Sequence, residues 1–166
     1  MASFCASIIP FVSSTDVFAV DAARRSGFSC RALSGFVDLR SQTITLPDLL
    51  TRYIAADTVI VIECPATVQS TSVAALRSIF GAVGTWAFTA ASLGIPPERV
   101  KLVTSQRWRA GLFGKQRLSR EAAKAAAVAL TGVADDDIAE AVCIRLWAEA
   151  EGDAVIRDLP NAYTAA

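Results

Sequence analysis

Apolar residues follow two rhythms along this chain. Short runs of branched residues occupy 17–20, 59–62 and 100–103, each bounded by polar positions, and these predict β-strands. The run "DVFAVD" (16–21) ends on Asp21. After a turn over "AARRSG", with Gly27 free to take a positive φ, "FSCRAL" (28–33) predicts a second strand and an antiparallel hairpin. The segment "GFVDLRSQTITL" has room for a third strand, and "VIVIE" (59–63) reads as a buried, central, parallel one.

Helical periodicity covers the rest. "TLPDLLTRYIAA" has Thr45 as its cap and Pro47 in its first turn. Residues 69–93 form a long helix, with Gly81 and Gly84 leaving a face that another helix can approach, and "LGIPPERV" stops it. "VKLVTSQRW" predicts a strand running into a loop. "LSREAAKAAAVAL" is a helix behind Ser119, closed at Thr131-Gly132, and "DDDIAEAVCIRLWAEAE" a last helix with acids at its positive end. The order predicts an α/β or α+β sandwich built on a mixed sheet flanked by helices. We expect an N-terminal arm over 1–15, one domain over 16–150 and a C-terminal tail over 151–166.

Composition narrows the chemistry. The chain has 166 residues, 53% of them hydrophobic, and as many basic as acidic side chains. This suits a single globular domain. It has no histidine, and none of its four cysteines is paired at CxxC spacing, so zinc sites and His-assisted nucleophiles are excluded. Neither GxGxxG nor GxxxxGK[ST] occurs. The N-terminus lacks the basic start of a signal peptide, and no apolar run reaches the ~18–20 residues of a membrane span. A cytoplasmic protein with no membrane partner is expected.

What remains is acidic. Asp21 and Glu63 each end a strand, and strand ends are where sites collect in α/β sheets. Asp137 and Glu140 are three apart near the start of the last helix and share a face, with Asp136 an alternative to Asp137. If the strands are neighbours, these acids meet. With no lysine or histidine built in among them, a hard divalent cation, Mg2+ or Mn2+, is the natural counter-charge. Between 99 and 124 lie eight basic residues and one acid, Glu121. Arg107, Arg109, Lys115, Arg117, Arg120 and Lys124, interleaved with Trp108 and Phe113, suit a phosphate backbone, and Arg24 and Arg25 add charge beside Asp21.

Together, "FAVDAARRSGFSCRAL", "VIVIECPA", the stretch 81–115 and "DDDIAEAVCIRLW" resemble RuvC-type Holliday junction resolvases of the RNase H-like superfamily, closest to the phage and prophage versions. The resemblance implies an RNase H-like fold and a Mg2+-dependent endodeoxyribonuclease acting as a homodimer on branched DNA. Asp21, Glu63, Asp137 and Glu140 would be its catalytic metal ligands. The chain departs from the family at Ala22-Ala23, where Pro-Gly is usual, at Glu140, where Asp is usual, and in having no histidine. These departures keep open a catalytically inactive RNase H-like module that binds nucleic acid or protein.

Overall fold

The computed structural model describes residues 15–40, 45–64, 73–114 and 118–163, leaving aside the side chains of 73, 75 and 76. Five strands form one sheet: β1 (Val17–Asp21), β2 (Arg25–Ser29), β3 (Ser34–Asp38), β4 (Val59–Cys64) and β5 (Val100–Thr104). Their spatial order is β3-β2-β1-β4-β5. The first three pair antiparallel, while β4 and β5 join β1 in parallel. The five helices are α1 (Leu46–Tyr53), α2 (Val73–Ser92), α3 (Ser105–Phe113), α4 (Arg120–Thr131) and α5 (Asp136–Arg157).

Side chains alternate across a strand, so each strand feeds two cores. Phe18, Val20, Ile60, Ile62, Val100 and Leu102 face α1 and α2, packing with Leu49, Leu50, Val83 and Trp86. Val17, Ala19, Val61 and Val103 face the other side, with Trp108, Ala127, Ala139, Cys143, Ile144 and Trp147. Alanines at 139, 141 and 148 on the buried face of α5 are small enough to let this helix lie close to the sheet. The same parity carries Asp21 and Glu63, the next odd positions of β1 and β4, to the α5 side. The parallel register pairs Val20 with Ile62, so Asp21 and Glu63 follow as neighbours at the strand ends.

The helix caps follow the sequence. The Thr45 hydroxyl accepts from Asp48 N at 3.4 Å, and Ser119 Oγ accepts from Ala122 N at 3.2 Å. Gly132 ends α4 in the left-handed region, at φ 71°.

Four expectations are corrected. Gly27 lies inside β2 and not in a turn, and its φ is not positive. The second strand is 25–29 instead of 28–33, because Cys30 N bonds Leu33 O at 2.8 Å and turns the chain there. The stretch after β5 is a helix, α3, capped by the Thr104 hydroxyl on Arg107 N at 3.3 Å. Residues 151–163, expected as a tail, pack on the domain. Gly152, at φ 77°, kinks α5, and Ile156 and Leu159 are buried beyond it. The chain then runs back along β5, with Leu102 N bonding Pro160 O at 2.8 Å and Ala162 N bonding Val100 O at 2.9 Å. Lys101 is buried there, donating to Arg157 O, Leu159 O and Asn161 Oδ1. Residues 1–14 of the expected arm lie outside the described residues.

Candidate metal centre

The four acids singled out by sequence come from three elements: Asp21 from β1, Glu63 from β4, and Asp137 and Glu140 from the first turns of α5. Asp135 caps α5, its carboxylate accepting from Ile138 N at 3.2 Å. Asp137 and Glu140 therefore sit in the first turns of the helix, on the face that meets β1 and β2. Gly27 makes this approach possible. A Cβ built there would stand 2.0 Å from Asp137 O.

The electrostatics show the convergence. Burial pushes the Asp21 carboxyl well above the usual carboxylate range; the charges of Glu63, Glu140 and Asp137 push it the same way, and only Lys124 opposes them. Glu63 is raised to about 7, first by burial and also by Glu140; the Trp108 hydrogen bond, Arg109 and Arg120 pull it down. Asp137, not Asp136, is the member of the acidic run whose charge reaches Asp21. Asp136 is turned to the Lys124 ammonium, which holds its carboxyl below the usual range.

The outer acids have donors of their own. Trp108 Nε1 donates to Glu63 Oε2 at 2.6 Å. Arg109 Nη2 donates to Glu140 Oε1 at 2.5 Å, and Arg25 Nη1 to Asp137 Oδ2 at 2.5 Å. Arg25 also pairs with Asp135, lowering that carboxyl's pKa, and lies 3.7 Å over the Phe36 ring. Lys124 Nζ is 3.9 Å from Asp137. The expectation of a cluster with no built-in cation is thus corrected. Two arginines and a lysine are supplied by β2, α3 and α4. Asp21 is different. Among the described residues no hydrogen bond or ion pair reaches its carboxylate, although it is surrounded by three other acids.

An oxygen-only donor set around an unsatisfied, crowded carboxylate fits a hard divalent cation. Among the described residues, the acids that bring one oxygen each within 4.8 Å of one another are Asp135, Asp136 and Asp137; no three of Asp21, Glu63, Asp137 and Glu140 are that close. All three are engaged by cations: Asp135 by Arg25, with the helix cap besides, Asp136 by Lys124, and Asp137 by Arg25.

The basic residues divide by exposure. Arg25, Arg109 and Lys124 are used on carboxylates, and Arg99 is used on the Thr58 and Ala55 carbonyls. Arg24, Arg107 and Arg120 are exposed, and Arg120 lies close enough to lower the Glu63 pKa. Lys115 and Arg117 lie outside the described residues. Sequence reasoning did not identify Trp108 as the Glu63 donor. The signal for it was Thr104 as a cap, followed by Trp108 and Leu112 at helical spacing.

No helix among the described residues is long and apolar enough to cross a membrane. No protein-family model matches the chain, and neither does any curated protein. Solved structures do match. The structure of T. thermophilus RuvC in complex with Holliday junction substrate superimposes with a TM-score of 0.58 at 15% identity, covering 80% of this chain and 91% of that one. A second Thermus thermophilus RuvC structure gives 0.55 at 14%, covering 80% and 92%. With its mixed five-stranded sheet and flanking helices, the chain has the RuvC-like form of the RNase H-like α/β fold.

Proposed function

We propose that this protein is a divalent-cation-dependent, structure-selective endodeoxyribonuclease that resolves four-way (Holliday) or other branched DNA junctions by phosphodiester hydrolysis. The observation that carries this function is the Asp21 carboxylate, crowded by Glu63, Asp137 and Glu140 and given no donor of its own. In this proposal Asp21, Glu63, Asp137 and Glu140 would hold the cations. Mg2+ is the expected ion, with Mn2+ as a substitute. Bound there, such ions activate a water and neutralise charge on the leaving oxygen.

The chain's own residues position the substrate. Arg24, Arg107 and Arg120 are exposed, Arg120 within electrostatic reach of Glu63, and all three are proposed for backbone phosphates. Lys115 and Arg117 are proposed for the same role, with Arg25, Arg109 and Lys124 joining them when released from their carboxylates. The similarity to a RuvC solved with a Holliday junction substrate supports DNA as the ligand. Two-strand cleavage needs two centres, and we propose a homodimer through α2. Its outer face exposes Phe80 and Phe88, 52% and 74% accessible, beside Gly81 and Gly84, where an added Cβ would meet nothing within 4 Å.

The test is cleavage of a labelled four-way junction against linear duplex, flap and RNA–DNA hybrid, in Mg2+, Mn2+ and EDTA. Paired, metal-dependent nicks that vanish in Glu63→Gln are expected. Preferential cutting of the hybrid or flap would reassign the substrate. No cleavage of any substrate by folded wild type favours the other reading, an inactive RNase H-like module binding nucleic acid or protein. One observation speaks for that module: Asp137 and Glu140 are already ion-paired with Arg25 and Arg109.

A further inference from the structure

The acids of the cluster are not held alike. Glu63 accepts from an indole N–H, a neutral donor. Glu140, only 6% exposed, accepts from the Arg109 guanidinium, itself 20% exposed. A neutral donor orients a carboxylate and leaves its charge available to a cation. A guanidinium cancels the charge it orients. Trp108 and Arg109 are consecutive on α3, so one capped helix delivers both donors. Arg109 is also incompletely satisfied, for its Nε is buried with no acceptor among the described residues. Buried N–H groups are nearly always paired, so this one is a donor still open to an acceptor. Its guanidinium lies 5.0 Å from the Trp108 ring and is tied to the cluster through Glu140.

We propose that Arg109 is the resident counter-ion of Glu140, holding in the metal-free chain the place that a divalent cation takes over. Loading at the Glu140 end displaces the guanidinium. Loading between Asp21 and Glu63 displaces no directly bonded guanidinium, because the donor on Glu63 is the neutral Trp108; the charges of Arg109, Arg120 and Lys124 reach this end only through space. The two ends of one carboxylate cluster thus bind cations with unequal strength, and α3 sets the difference. This inference rests on the cluster being a metal site, as proposed above.

Mn2+ titration by calorimetry, without DNA, tests it in wild type, Arg109→Gln, Arg109→Met and Arg52→Gln. Arg109→Met keeps the aliphatic bulk over Trp108, so either Arg109 variant serves if the other fails to fold, as thermal unfolding will show. The weaker Mn2+ step is expected to tighten by about fivefold or more in the Arg109 variants, a typical coupling between sites. Arg52 is exposed on α1, on the other face of the sheet, and its loss should change Mn2+ affinity by less than about twofold, because exposed charges are screened. Unchanged or weaker binding in the Arg109 variants, with wild type binding Mn2+, overturns the counter-ion role and leaves the nuclease intact. No Mn2+ binding by wild type or variants overturns both.

Discussion

Gly27 and Asp137 are in backbone contact: a methyl group on the glycine would lie 2.0 Å from the Asp137 carbonyl oxygen. Gly27 is also the cross-strand partner of Asp21. One residue without a side chain thereby sets the separation between the end of β1 and the start of α5, where the acids meet. Gly27→Ala is expected to push the first turn of α5 outward. Overpacking of this kind costs about 1–3 kcal/mol, which urea denaturation will read. Metal binding should fall by more than the stability loss accounts for, because the variant moves Asp137 relative to Asp21.

Trp108→Phe keeps a buried ring and removes the donor to Glu63. The hydrogen bond lowers the Glu63 pKa, so without it that pKa rises beyond about 7. Mn2+ binding followed against pH should have its midpoint displaced upward in the variant. A stability loss of about 1 kcal/mol is expected from the lost bond. An unchanged midpoint would mean that the indole packs on Glu63 without controlling its charge.

Glu63 also links stability to pH. Its carboxyl is raised from 4.5 to about 7 in the folded chain, so the folded state binds this proton more tightly than the unfolded one. Its contribution is fully present below about 4.5 and is lost as pH rises through about 7. Glu63→Gln should therefore stabilise the metal-free protein at pH 8, on the order of 1–2 kcal/mol, and have little effect at pH 4.5. Denaturation at both pH values checks this. Saturating Mn2+ should raise the Tm of wild type at pH 8 but not that of the variant.

Phe88 is 74% exposed on α2, so Phe88→Asp should leave the fold unchanged. If α2 is the dimer face, sedimentation will show wild type as a dimer and the variant as a monomer. A monomeric wild type would remove the homodimer from the proposal.

Much of the site was legible in the sequence because alternation is a local property. An acid placed an even number of residues after Val17 or Val59 had to face the same side, and Asp21 and Glu63 do. The caps at Thr45 and Ser119 were legible for the same reason. What was not legible depends on contacts between distant segments. Arg25 and Asp137 are 112 positions apart, and Arg109 and Glu140 are 31 apart. Their charges resembled a solvated, DNA-facing surface until folding paired them. Gly27 was assigned to a turn because glycine favours turns; its use here is to admit α5. The helix α3 was hidden by its polar N-terminal half, where Thr104-Ser105-Gln106-Arg107 continues from a strand without a break.

The kink at Gly152 returns the chain along β5, and this has a consequence for how the protein keeps to itself in solution. A polypeptide ending at 150 would retain all four acids, yet it would lay bare the hydrogen-bonding edge of β5 and strip Lys101 of the carbonyls that hold it. Uncovered edges of this kind recruit strands from other molecules. Residues 160–162 thus cover an edge that would otherwise be open to pairing.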